Sequence, residues 1–252
     1  MKFKNIIKLN VLCVPLFFVA CNSGVEHIQR KLFVRQFPSE SIDQIKIGHA
    51  IPEPVVLKNL RKNNFRNYSL YVREIEPDSF YLFRYFEYTG KSLKSDVEYI
   101  HKNEKTADWW NLKSVLLTDM NQWVEWEPVF YFAGSSSATN PTRHGWVIGI
   151  HKKDILAYTQ LHAAPWPGVL ERLDSSHIQN YSIFLGEIRK DMPILFSYLE
   201  YSGNDFDMDM QKMAKDKVTQ LWWSYTDPLQ YTLPSAEKGE HWSTAREIYH
   251  FE

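Results

Sequence analysis

The sequence predicts an α+β protein in which one βαββαβ unit is written twice. Three observations carry this: an internal repeat, the same order of strand-like and helix-like segments in each copy, and a polar break between the copies. Shifted against itself by 113 positions, the chain matches at about 24 of 62 sites from His49 to Trp110, where on the order of four would match by chance. His49-Ala50 falls on His162-Ala163, Pro52 and Pro54 on Pro165 and Pro167, and Asn67-Tyr68-Ser69 on Asn180-Tyr181-Ser182. Glu87-Tyr88 falls on Glu200-Tyr201, and Trp109-Trp110 on Trp222-Trp223. A period this long is that of a duplicated domain and not of a solenoid.

Each copy opens on a short strand-like run, Leu32 to Phe37 and Trp146 to Ile150. Helical apolar spacing follows over Ser41 to Asn63 and Asp154 to Ser176, broken by the paired prolines; Pro167 is suited to the first turn of a new helix. Asn67 to Val72 and Ser79 to Tyr88 read as strands, as do Asn180 to Leu185 and Ile194 to Tyr201. A polar helical stretch leads into each Trp-Trp pair, and Pro128 to Phe132 and Glu247 to Phe251 close the copies as strands. This order is the ferredoxin-like, split βαβ arrangement, which covers one sheet face with helices and leaves the other bare. Two copies bury those bare faces against each other, so the expected architecture is a pseudo-dimeric α/β barrel within one chain. The expected boundaries are 31–133 and 145–252, joined by a linker over 134–144 that contains Gly134 to Pro141.

The N-terminus reads as a signal. Lys2, Lys4 and Lys8 precede an apolar run of about ten residues from Val11 to Ala20, too short to span a bilayer core of about 30 Å. Ala20-Cys21 fits a bacterial lipoprotein signal over 1–20, with Cys21 as the lipidated first residue and 21–30 as a tether. The expected location is the cell envelope, anchored to a membrane through Cys21. Cys13 would leave with the signal, so no internal disulfide and no cysteine-based metal site is expected. A net charge of −1 argues against a nucleic-acid partner. Nine Trp and fourteen Tyr suit large cores or stacking platforms for planar and sugar ligands.

Chemistry converges on His162. It lies four residues after Tyr158, on the same helix face, and three before Pro165-Trp166-Pro167, whose bend sets His162 near a helix end with Trp166 turned the same way. A histidine alone on a helix carries little information, but Tyr158, Trp166, Tyr181, Trp222 and Trp223 recur with it as a set. There is no G-x-S-x-G, H-E-x-x-H, P-loop or G-x-G-x-x-G, and the nine histidines lack metal-ligand spacing. Asp205, Asp207 and Asp209 lack the glycine and terminal Glu of a calcium loop and read as a solvated helix start. No metal and no cofactor are expected.

His162-Ala-Ala-Pro-Trp-Pro, the strand Asn180 to Leu185, and Gln220-Leu-Trp-Trp with Thr226-Asp227-Pro228 closely resemble the L-rhamnose mutarotase family. The resemblance runs from Trp146 to Phe251. It implies a cofactor-free dimeric barrel of ferredoxin-like subunits that interconverts the α and β anomers of L-rhamnose. It further implies His162 as general acid/base, with Tyr158, Tyr181, Trp222 and Trp223 contacting the sugar. In the first copy His49, Tyr68, Trp109 and Trp110 match, but Ile45 stands for Tyr158 and Glu53 for Trp166. The first site is therefore expected to be altered or mainly structural, with Glu53 a second titrating group beside His49. Rival readings are a non-catalytic sugar-binding envelope lipoprotein, and another cofactor-free or haem-linked enzyme on the same barrel, such as a small monooxygenase.

Overall fold

A computed structural model describes residues 27–37, 51–112, 122–136 and 140–252. His49, Ile45 and the N-terminal segment with Cys21 lie outside the described residues. The first half holds strands β1 (Gln29–Phe37), β2 (Phe65–Glu76), β3 (Ser79–Tyr88) and β4 (Val124–Phe132), with helices α1 (Pro54–Lys62), α2 (Leu93–Ile100) and α3 (Glu104–Trp110). The second holds β5 (Thr142–Ile150), β6 (Ile178–Arg189), β7 (Met192–Tyr201), a short β8 (Gln230–Tyr231) and β9 (Ser243–Phe251). Its helices are α4 (Ile155–Ala163), α5 (Pro167–Ser175), α6 (Phe206–Lys215) and α7 (Lys217–Thr226). Several strands run longer than the sequence reading had them; among these, β1 begins at Gln29 inside the expected tether, and β5 at Thr142 inside the expected linker.

All strand pairs are antiparallel. The order is β4-β1-β3-β2 in the first half and β9-β5-β7-β6 in the second, so each half repeats one arrangement. The halves then join edge to edge, β2 with β9 (Tyr68 opposite Phe251) and β4 with β6 (Phe132 opposite Tyr181). Eight strands thereby close into a barrel with seven α-helices among the described residues, and β8 hangs on the end of β5. Inward-facing residues of both halves fill the interior. Repeat-related rings stack across the middle: Tyr85 on Tyr198 at 3.8 Å, and Phe83 on Phe196 at 4.8 Å. The rim also packs without slack. A Cβ at Gly186 would lie 2.3 Å from the Trp126 indole, so Gly186→Ala is expected to cost about 1–3 kcal/mol by overpacking, read as a lowered urea midpoint.

The repeated Asn-Tyr-Ser motif has a backbone cause. Asn67 and Asn180 sit at φ 46° or less but positive, 44° and 46°, inside β-bulges of β2 and β6. Asparagine tolerates this left-handed conformation, and the bulge re-aims the residue that follows. The two amides meet across the repeat. Asn180 Nδ2 donates to Glu87 Oε1 (2.7 Å) and Glu200 Oε1 (2.8 Å), while Asn67 Nδ2 donates to the same two oxygens at 3.0 and 2.7 Å. The phenols of Tyr85 and Tyr198 donate to Glu87 and Glu200, and Arg30 Nε donates to Asn180 Oδ1.

The acidic run corrects one expectation. Asp205 does cap α6, but Asp209 is buried, accepting from Tyr201 (2.8 Å), Lys212 (2.9 Å) and the His177 ring (2.9 Å). Its Lys212 and Tyr201 bonds hold the carboxyl down to about 2. The first half repeats the device with Asp96, Tyr88 and Asn64.

Candidate active site

A cavity of about 630 Å³ lies between the second half's sheet and helices α4–α7. Tyr158, His162, Tyr181, Trp222 and Trp223 all line it, so five of the residues singled out from the second copy converge. Proline placement explains the approach. Pro167 opens α5 at its N-terminus, α4 stops at Ala163, and His162 is left in the last turn of α4. The bulge at Asn180 precedes Tyr181, which stands edge-on to Phe130 at 5.4 Å.

His162 is buried, its ring stacked on Tyr158 at 4.1 Å and met edge-on by Trp222 (5.3 Å) and Phe130 (5.6 Å). Nδ1 lies 3.0 Å from the Tyr158 carbonyl, which can only accept, so Nδ1 carries the proton and Nε2 keeps its lone pair. Burial pushes the imidazole down to about 4, and the carbonyl bond recovers only part of the shift. The ring is neutral at pH 7. Burial also lifts the Tyr158 and Tyr181 phenols above their ordinary range, and for Tyr158 the neighbouring Tyr181 adds to the rise. Both stay protonated and able to donate.

The histidine makes stability depend on pH. The unfolded chain takes its proton below about 6.5, the folded chain only below about 4. Stability therefore falls as the pH drops through that window, by about 3 kcal/mol in all. Urea midpoints measured across it should show this slope in the native chain and lack that part of it in a His162→Gln chain.

Trp166 sits one ring outside the cavity wall, edge-on to Trp222 at 5.3 Å and to Tyr225 at 5.6 Å. The wall also holds residues to which the sequence reading gave no role: Phe130, Gln230, Asp227, His241 and Trp242. Phe130 comes from β4, the last strand of the first half, so no pattern in the second copy could reveal it. Burial raises the Asp227 carboxyl, against the pull of His241 Nε2 at 3.7 Å. The Thr226-Asp227-Pro228 motif was a signal for this residue, but it assigned no role.

The first copy is packed differently. Tyr68, Trp109 and Trp110 are buried in one cluster with Phe65, Phe86 and Phe251: Tyr68 stacks on Phe251 at 5.3 Å, and Trp110 meets Phe65 at 5.1 Å. Phe65, Phe86 and Arg84 occupy the repeat positions of Ile178, Leu199 and Ser197. Arg84 is buried, its guanidinium 3.7 Å over Trp123, with Nε donating to the Tyr68 phenol and Nη2 to the Trp110 carbonyl. Among the described residues Tyr68, Trp109 and Trp110 are thus part of a core cluster, with larger side chains at three neighbouring repeat positions than the second copy has. Glu53 is exposed and paired with Lys105 at 2.7 Å, and His49, beside which it was expected, lies outside the described residues.

The family model described as L-rhamnose mutarotase matches this chain twice, over residues 30–132 and 143–251. The L-rhamnose mutarotase of Shouchella clausii is 33% identical over 36% of this chain and 81% of its own length. That of Bacillus subtilis is 34% identical over 34% of this chain and 77% of its own. The crystal structure of an L-rhamnose mutarotase from Formosa agariphila is similar over 44% of this chain and 99% of its own, with 21% identity and a TM-score of 0.34.

Proposed function

The chain belongs to the L-rhamnose mutarotase family, and on that premise we propose that it is a cofactor-free carbohydrate mutarotase acting on L-rhamnose or a related deoxyhexose. One observation carries the reading: a neutral, buried imidazole with an uncommitted Nε2, set in an aromatic cavity beside two protonated phenols. Nε2 takes the proton of the anomeric hydroxyl as the bond from the anomeric carbon to the ring oxygen breaks. The ring oxygen takes a proton from a phenol, Tyr158 or Tyr181. The free aldehyde turns its other face, the ring oxygen attacks it, and each proton returns to its source. Trp222 and Trp223 pack the apolar face and methyl of the sugar.

In this reading the two halves are ferredoxin-like units, 31–133 and 145–252, fused through 134–144 as a pseudo-dimer. The second half holds the working site and the first serves mainly as its structural partner, as the packing of Tyr68, Trp109 and Trp110 supports. The basic and apolar N-terminus supports export and lipidation at Cys21, which would place the enzyme in the cell envelope, meeting free sugar before uptake. The test is saturation-transfer NMR between the anomers of L-rhamnose with the chain from Asn22 onward. Exchange above the spontaneous rate is expected; none with L-rhamnose, L-fucose or another free hexose would sink the proposal.

A further inference from the structure

We infer that the site extends beyond one sugar, along an aromatic strip that holds the following units of a neutral oligosaccharide whose reducing end occupies the cavity; this rests on the mutarotase reading. The strip starts inside the site. Trp222 lines the cavity, Trp166 lies 5.3 Å from it, and Tyr225 lies 5.6 Å beyond Trp166, with successive rings near perpendicular at 79°. The chain of rings thus leads from His162 to the outer surface in steps of one ring each. Tyr225 is 54% exposed, Trp223 at the mouth is 36% exposed, and Val218 and Leu221 continue the same face of α7 at 38% and 53%. Positions 218, 221 and 225 follow helical spacing, so they form one stripe, and none of the three is charged.

The stripe's continuity with the cavity and its lack of charge select its occupant. Aromatic faces without charge suit the C–H faces of pyranose rings and not an anionic or cationic ligand. The cavity, at about 630 Å³, also falls within the range of about 300–1,000 Å³ typical of ligand pockets. Mutarotation needs only a free anomeric centre, so a chain linked through another hydroxyl of the reducing unit can leave through the mouth toward Trp166 and Tyr225.

The experiment compares L-rhamnose with the disaccharide of two L-rhamnose units that keeps a free reducing end, using the full chain and its Tyr225→Ser variant. The disaccharide is expected to show a KM about three- to tenfold below that of L-rhamnose, the worth of one added aromatic contact. Tyr225→Ser should erase that advantage and leave L-rhamnose exchange as it was; unchanged melting of the variant shows that it folds. A native chain that exchanges L-rhamnose but gains nothing from the disaccharide overturns the inference and leaves the mutarotase reading standing, as does a variant weakened equally on both sugars. Exchange of neither sugar overturns the reading and the inference together. Sedimentation supplies the remaining outcome: a dimer that Tyr225→Ser dissociates, with disaccharide handling untouched, assigns the strip to a second copy of the chain and overturns the inference.

Discussion

A His162→Gln chain is expected to lose anomer exchange by about 10²–10⁴-fold while keeping its fold. The magnitude is that of a positioned proton-transfer group, and among the described residues the imidazole's hydrogen bond is made by Nδ1, not Nε2. Glutamine fits the case because its amide can still donate to the Tyr158 carbonyl, as Nδ1 does at 3.0 Å, so α4 keeps its last turn. What it cannot do is accept and release a proton near neutral pH. The readout is exchange at saturating L-rhamnose, with tryptophan fluorescence showing that sugar still binds through the change around Trp222. Exchange within about twofold of the native chain would remove His162 from the chemistry and shift attention to Asp227, the raised carboxyl on the same wall.

The second large effect falls outside the cavity lining, at the residue before Tyr181. Asn180→Leu is expected to destabilise the chain by about 3–5 kcal/mol, because it removes two hydrogen bonds to acidic side chains, each worth about 1.5–3 kcal/mol. Asn180 donates to both Glu87 and Glu200, beside Asn67 and the two phenols, and accepts from Arg30. Its removal leaves two buried carboxylates each short of one bond. Part of the loss would come from the backbone, because leucine resists the φ of 46° that Asn180 adopts. Asn180→Gly separates the two: glycine accepts the backbone conformation but replaces none of the hydrogen bonds. If urea unfolding finds the glycine variant as stable as the native chain, the loss belongs to backbone strain and not to the carboxylate pair.

How far the sequence disclosed this structure depended on the range of the interaction. Ser79 to Tyr88 was legible to its ends because strong β-formers sit between turn residues, and Pro167 announced the break between α4 and α5. The repeat made the succession of strands and helices legible in both halves. It could not say which edges would meet, because the pairing of β2 with β9 and of β4 with β6 joins segments distant in sequence and leaves no local period. The second-copy site was legible as a set, since Tyr158 and His162 share a helix face and Tyr181 follows its bulge. The filling of the first-copy site was only partly so: Arg84 against Ser197 and Phe86 against Leu199 stood in the repeat, but their meaning depends on where Trp110 turns. Asp209 looked solvated because its partners, Tyr201 and His177, lie on other elements.

The way β4 and β9 cross between the halves has a consequence for working concentration. A cavity wall that includes Phe130 from the other half would, in two separate chains, exist only while the chains met, and its activity per molecule would fall on dilution. Here both contributors share one backbone, so the meeting is intramolecular and its effective concentration is set by the short connection before β5, whatever the surroundings hold. Activity per chain should then be independent of abundance, a property suited to a protein present at few copies.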